Sequence, residues 1–460
     1  MVTFPGPRAR ARGIGLCLLA VLAALASPAH AQADLSRARL ATLKNGLRVL
    51  LVPDSTAVAV EVESWFAAGL ADEKPGRVGI SRLVAGLMAR SPGSQDGARQ
   101  VEAQGGNSGT FSSPDLACFY ETLPAGSLEL DLKLEAGRMK TLEAGAAALD
   151  AERARLAAER RGRAESAPGV RGLQRLYAAL YPGHPYRLPT TGVDADLARL
   201  TERDVADQFR SRFAPDQALV TVVGRFEPDA ALKLARSWLE PLPRRGTAAP
   251  APSAPGPIRE RRVSEPLDFN LRLLFVGWRA PGEGDPDAVA LDALGRVLSG
   301  GTVARLPSEA VGPDRDLLFA QAGYDGRARG GLFYAYAALR PGADSVAVEK
   351  DLIARVEKLA GEPIAPEELE RVKRQAEVAA LFGWQAAHDR SLALGGAALI
   401  DGDYRSAWSR VDRVRALAAA DLQRAAARTL KAETRAVLWL VPTAPAVAPP
   451  AARPKPGFAR

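Results

Sequence analysis

Histidine and cysteine are the scarcest chemistry-bearing residues of this 460-residue chain, at three and two copies. His30 and Cys17 fall in an N-terminal segment that reads as removable, which leaves His184, His388 and Cys118. Two histidines 204 positions apart cannot form a local His-x-x-x-His zinc motif. A single thiol excludes an internal disulfide, even in an oxidising compartment. A large excess of one charge is missing too. Lys and Arg number 61 against 53 Asp and Glu, for a net +8, and losing Arg8, Arg10 and Arg12 with the segment lowers this to +5. So mild and dispersed a balance gives no reason to expect nucleic acid as a partner. Nor does any later stretch supply the roughly 20 apolar residues of a transmembrane helix. With 47% apolar and 25% charged residues the composition is that of a folded protein, and the length accommodates two or three domains.

Residues 1–31 have the form of a signal peptide: a basic patch at Arg8 to Arg12, an apolar run from Ile14 to Ala26, and the small-x-small site Ala29-His30-Ala31. The expected location is the bacterial periplasm. Residues 241–257, PLPRRGTAAPAPSAPGP, form a Pro/Ala-rich linker unable to build a core. Residues 443–460 have no apolar periodicity and are expected to be a disordered tail. Between these lie two domains of similar length, 36–240 and 258–442.

The halves repeat each other. Leu47, Val49 and Leu51 alternate as a strand and Val58 to Phe66 follows, while Phe269 to Trp278 opens the second half as a strand. Thr201-Glu-Arg-Asp-Val205 carries a helix-capping signal before the strand Ala218 to Val223, and Ala418 to Leu422 starts a helix before the strand Ala436 to Val441. Sixteen positions separate Asp204 from Val220 and Asp421 from Val437. Long helical patterns, Glu152 to Arg163 and Glu367 to Arg374, precede them. Leu128, Leu130, Leu132 and Leu134 alternate like a strand, but the strong helix formers running to Leu142 predict a helix. Duplicated strand and helix patterns imply an α+β fold.

An ordered series of motifs gives these halves a family resemblance. Lys44-Asn-Gly-Leu-Arg-Val-Leu-Leu-Val-Pro53, Gly105-Gly106 followed by Asp115 and Phe119-Tyr120, Arg138-Met139, His184-Pro-Tyr186, and Phe213-Ala-Pro215 leading to Val222-Val-Gly224 resemble the M16 metallopeptidases, which include pitrilysin, insulin-degrading enzyme and the mitochondrial processing peptidases. The resemblance covers most of residues 40 to 442. It implies two homologous α/β-sandwich domains forming one half of a clamshell that encloses peptides. It also implies zinc held by His-x-x-Glu-His on a helix and by a more distant Glu, with the Glu between the histidines as general base.

This chain departs from that pattern where the chemistry resides. Ile80, Leu83, Val84, Leu87 and Met88 make the core stripe of the helix, but the motif positions read Arg82, Ala85 and Gly86. A guanidinium stays protonated, and Ala and Gly carry no donor. The third ligand position aligns with Glu159, which is open to two readings: a helix-surface partner of Arg155 and Arg163, or a former ligand paired across to Arg82. No metal is expected in the chain. The resemblance places His184 in a structural turn, and no metal role is expected for it or for His388. Gly-x-Ser-x-Gly is absent, and Cys118, within the apolar Leu116 to Leu123, reads as core.

The substrate apparatus differs as well. The family's peptide-pairing edge strand carries Asn-Ala, where this chain has Gly109 and Thr110, followed by Phe111. The Arg and Tyr of the family's second domain fall at Val311 and Phe319, with Arg305 and Arg315 nearby. The expected role is a catalytically inactive partner of an active zinc M16 subunit, with zinc only in that partner and extended peptides as possible ligands. An active metallopeptidase with a non-standard metal site and a structural scaffold subunit are the alternatives.

Overall fold

The computed structural model describes residues 37–166, 168–246 and 255–443. The signal segment, residues 444–460 of the expected tail and residues 247–254 of the linker lie outside them.

The first half contains strands β1 (Arg39–Thr42), β2 (Arg48–Pro53), β3 (Ala59–Phe66), β4 (Asn107–Ser112), β5 (Ala117–Pro124) and β6 (Ala218–Gly224). Its helices are α1 (Ile80–Arg90), α2 (Pro92–Ala103), α3 (Leu128–Lys140), α4 (Ala146–Ser166), α5 (Pro168–Leu180), α6 (Asp194–Leu197), α7 (Glu202–Arg212) and α8 (Pro228–Leu239). The second half contains β7 (Arg261–Leu267), β8 (Leu273–Ala280), β9 (Leu317–Arg327), β10 (Gly330–Leu339) and β11 (Arg435–Pro442). Between and around them run α9 (Ala288–Ser299), α10 (Arg305–Ala310), α11 (Ser345–Glu357), α12 (Pro366–Gly383), α13 (Ala387–Ile400), α14 (Arg405–Ala416) and α15 (Ala419–Thr429).

The sheet orders are β1-β2-β6-β3-β5-β4 and β7-β11-β8-β10-β9. Apart from β1 they share one topology. The parallel pair β2–β6 matches β7–β11, and the antiparallel series β6–β3–β5–β4 matches β11–β8–β10–β9. The duplication inferred from spacing is therefore a duplication of sheets. Thr201 and Asp204 close a reciprocal capping box at the start of α7, while at α15 the Ala418 N–H donates to Asp421 Oδ2 at 2.8 Å. The ambiguous leucine run is helix α3, which buries Leu128, Leu132 and Met139.

One expectation needs correcting, and one strand carries no sequence signal. The strand predicted from Phe269 begins at Leu273, because Phe269 donates its N–H back to Leu267 O in a turn and stays 40% exposed. β7 has no alternating pattern to announce it, since its residues are mostly exposed; it forms by parallel pairing along β11.

Each sheet has one face covered by its own half. In the first, Val60, Val62, Phe66, Phe119, Val220 and Val222 pack against α1, α3, α7 and α8. In the second, Val276, Trp278, Phe333 and Val437 pack against α9, α11, α12 and α15. The opposite faces are covered by exchange. Leu176, Tyr177 and Leu180 of α5 pack on Phe275, Leu332 and Leu438 of the second sheet, while Leu394 and Ala398 of α13 pack on Leu50, Trp65, Leu219 and Val223 of the first. Glycine permits both approaches: a Cβ at Gly172 would lie 2.3 Å from the Phe275 ring, and one at Gly395 would lie 2.3 Å from the Trp65 ring. The β9–β10 turn adds polar contacts, with Asp115 Oδ2 accepting from Ala328 N at 3.1 Å and Arg329 Nη2 paired with Asp72 Oδ1 at 2.5 Å.

Gly395→Ala should therefore destabilise the protein by about 1–3 kcal/mol through overpacking against Trp65. Gly396→Ala, one residue along α13 with nothing within 4 Å, should be neutral or stabilising by up to about 1 kcal/mol. Denaturant midpoints of the two variants test this, and equal effects would contradict the close approach.

Candidate functional site

α1 begins where Gly79 adopts φ 97°, and Glu73 holds the start with both carboxylate oxygens, accepting from Gly79 N at 2.6 Å and Ser81 N at 2.9 Å. Ile80, Leu83, Val84, Leu87 and Met88 are buried as the stripe predicts. The positions expected on an open ligand face are closed. Ala85 is 0% exposed inside the first core, and Gly86 is covered by Glu152, whose Oε1 would lie 1.8 Å from a Cβ there. A histidine at 86 would have to displace that carboxylate.

Arg82 and Glu159 meet across α1 and α4, Nη2 to Oε2 at 3.1 Å, each side chain 15% exposed. The same Oε2 accepts from Arg155 Nη1 at 2.9 Å. Arg155 also grips Glu152, Nη2 to Oε1 at 2.7 Å, and Arg90 approaches Glu152 Oε2 at 3.2 Å. Glu159 thus pairs both along its own helix, with Arg155, and across to Arg82; the side chain of Arg163 lies outside the described residues. Three guanidiniums interleave with two carboxylates. Burial pulls the Arg82 pKa down from its ordinary value, opposed by attraction to Glu159. A fixed positive charge occupies the place where a cation would need ligands, and it offers no lone pair. Glu152 went unnoticed in the sequence, although its i−7 spacing from Glu159 places both on one helix face.

β4 lies at the sheet edge, as expected. Gly109 faces Tyr120, whose hydroxyl would lie 2.4 Å from a Cβ at 109. Thr110 Oγ1 donates to Cys118 O at 2.8 Å, and Phe111 meets Trp65 edge-on with ring centroids 5.5 Å apart. The strand is pinned inward by its side chains, while its outer backbone edge has no partner strand among the described residues. In the second half Val311 bridges to Leu317, Phe319 tilts over Tyr336 at 5.2 Å, and Arg305 pairs with Glu368 at 2.7 Å, so Arg305 ties the α10 start to α12.

His184 caps a short 3₁₀ turn, its Nδ1 accepting from Tyr186 N at 3.1 Å; burial and nearby arginines push its pKa down to about 4. Cys118 is fully buried, and burial with four nearby glutamates holds its thiol pKa well above the ordinary value. His388 is not alone. From the first turn of α13 its Nδ1 lies 2.8 Å from Glu61 Oε1 and 3.2 Å from Glu63 Oε1, both on β3. Burial raises the Glu61 pKa to about 7, while the hydrogen bond to Glu63 leads a set of carboxylate contacts raising His388 to about 9. No sequence pattern joins residues more than 300 positions apart; only the exchange of α13 brings them together.

Comparison with known proteins agrees with this architecture. A family model described as the peptidase M16 inactive domain matches residues 199–376. The zinc protease PqqE of Helicobacter pylori is 28% identical over 365 residues, 77% of this chain and 81% of its own length. An uncharacterized zinc protease of Mycobacterium leprae is 26% identical over 79% of this chain and 83% of its own. The crystal structure of a Helicobacter pylori protease superimposes with a TM-score of 0.81 at 25% identity, covering 88% of this chain and 99% of the other. The M16 inactive domain structure from Pseudomonas fluorescens gives 0.79 at 18% identity, covering 89% and 99%. The chain is thus similar to M16 peptidases over most of its length, and its α+β fold is that of the M16 structures it superimposes on. The positions that the resemblance aligns with the family's His-x-x-Glu-His read Arg82, Ala85 and Gly86.

The ion-pair ladder makes an asymmetric prediction. Arg82→Ala leaves Glu159 with Arg155 and should cost about 1 kcal/mol or less. Glu159→Ala strands Arg82, whose Nη1 already lacks a hydrogen-bond partner, and should cost about 1–3 kcal/mol. Urea denaturation of both variants checks the order; a larger loss in Arg82→Ala would contradict it.

His388 makes a prediction about pH. A histidine raised from 6.5 to about 9 stabilises fully below pH 6.5, and that contribution is lost as pH rises through about 9. In the presence of chelator, the stability difference between the native chain and His388→Gln should shrink between pH 6.5 and 9.5. A difference constant over that range would contradict the ion pairing.

Proposed function

We propose that this chain is a catalytically silent M16 subunit that closes a peptide-holding chamber against an active, zinc-bearing M16 partner in the periplasm. The observation that carries the reading is the Arg82–Glu159 pair at 3.1 Å, which puts a protonated guanidinium on the remaining carboxylate of the motif. Ala85, buried in the core, puts no proton acceptor at the position the resemblance gives to the general base. Zinc chemistry is assigned to the partner, and this chain contributes surface.

The edge of β4 supports a part in holding extended peptides. β-strand addition needs main-chain donors and acceptors along an unpaired edge, which Gly109, Thr110 and Phe111 supply without the Asn-Ala pair. Val311 and Phe319 offer no charged grip on a scissile bond, in keeping with binding in place of turnover.

Two measurements test the proposal together. Native mass spectrometry of the complex purified from the host should show this chain bound to a subunit that carries His-x-x-Glu-His. Reconstitution should raise peptide cleavage by that subunit, while this chain alone cleaves nothing. Peptide hydrolysis by the isolated chain, or a chain that stays monomeric beside every active M16 protein of its host, would overturn the reading.

A further inference from the structure

Glu61, Glu63 and His388 are the one group among the described residues whose ligand atoms meet the spacing of a metal site, all within 4.8 Å of one another. They lie across the first sheet from α1. Glu61 and Glu63 stand two apart on β3 and share the face that α13 covers, whereas Val60 and Val62 face the core that includes α1. This is not the Arg82 region rebuilt from nearby residues. It is a separate constellation made from both halves.

The carboxylates are held as ligands are held. Glu61 accepts from Thr122 Oγ1 at 2.5 Å and Glu63 from Trp65 Nε1 at 3.0 Å, in both cases through Oε2. That leaves both Oε1 atoms turned toward His388 Nδ1, at 2.8 and 3.2 Å. A single N–H reaches both only as a shared, three-centre contact, with Glu61 the nearer acceptor. Glu63, 0% exposed, keeps a buried Oε1 with no hydrogen bond, aimed into the group. Two carboxylates buried at one point with a single imidazole are short of positive charge.

We infer that Glu61, Glu63 and His388 bind one small divalent transition-metal ion through Glu61 Oε1, Glu63 Oε1 and His388 Nδ1. Ligands at zinc distances of about 2.0–2.2 Å stand roughly 3.3 Å apart in a tetrahedron, near the 2.8 and 3.2 Å from His388 Nδ1 to the two carboxylates. The ion neutralises both carboxylates and takes the place of the shared proton. Thr122 and Trp65 orient the ligands from behind. His388 is 32% exposed and lies tilted against the Tyr120 ring with centroids 4.6 Å apart, so the fourth position opens toward solvent. Because the ligands come from β3 and α13, the bound ion ties the two halves together. The inference goes beyond the subunit role and does not rest on it.

The test uses the full purified chain, stripped with chelator and titrated with Zn²⁺ alone by calorimetry at pH 7.5. One ion per chain is expected, with a heat that depends on the buffer because binding displaces protons. His388→Gln and Glu63→Gln should abolish the uptake, and Thr122→Val should weaken it about tenfold or more. Glu159→Gln should leave the stoichiometry at one, which separates this site from the Arg82 region. If the ligand variants fold poorly, Co²⁺ added to the unmutated chain gives a second measurement, with strong visible absorption expected from a four-coordinate ion. Absence of Zn²⁺ uptake by the folded chain, undiminished uptake in His388→Gln, or only the weak spectrum of hydrated Co²⁺ would overturn the inference.

Discussion

The structure depends on an exchange of helices between its two halves. A sheet with one face on its own helices still presents a second apolar face, and here each second face is covered by a helix from the other half. α5 leaves the first half to cover Phe275, Leu332 and Leu438, and α13 leaves the second to cover Trp65, Leu219 and Val223. Four apolar clusters result, two within halves and two between them. The domains repeat in sequence and topology, yet neither completes its core alone.

This exchange explains where polar chemistry collects. Strand β3 puts Glu61, Glu63 and Trp65 on the face toward α13, and burying two carboxylates there requires a cation or protons. His388 arrives with α13 to supply the charge. On the other side of the same sheet, Glu121 and Glu135 enclose Arg138, which pairs with Glu121 at 2.6 Å, and Ser64 donates to Glu135. Asp131 is buried nearby, and burial raises its pKa to about 9, which keeps the carboxyl protonated at neutral pH.

The α1–α4 contact is closed by small residues and by charge pairing. Small residues at 85 and 86 let the helices close, Glu152 fills the space beside Gly86, and Arg82 brings a positive charge to Glu159. Arg155 and Arg90 extend the alternation of charges along the contact. The contact is a ladder of ion pairs, which ties the two helices together through alternating charges. The helix and its core stripe persist because packing requires only apolar residues at the right period, whereas zinc requires particular atoms at particular positions.

The local physics of the sequence determined much of this. Alternation marked β2, β3 and β6, the helical period marked α1 and the leucine run of α3, capping signals marked α7, and the equal offset of sixteen residues exposed the duplication, because these depend on neighbours a few positions apart. The replaced motif at Arg82, Ala85 and Gly86 was equally legible, since side-chain chemistry is written in residue identity. Tertiary structure alone decided that α5 and α13 change sides, that Glu159 answers to Arg82 and Arg155 together, and that Glu152 closes over Gly86. It alone also brought His388 to Glu61 and Glu63, because a contact between residues more than 300 positions apart leaves no periodicity in the chain and exists only once two sheets have found the helices that cover them.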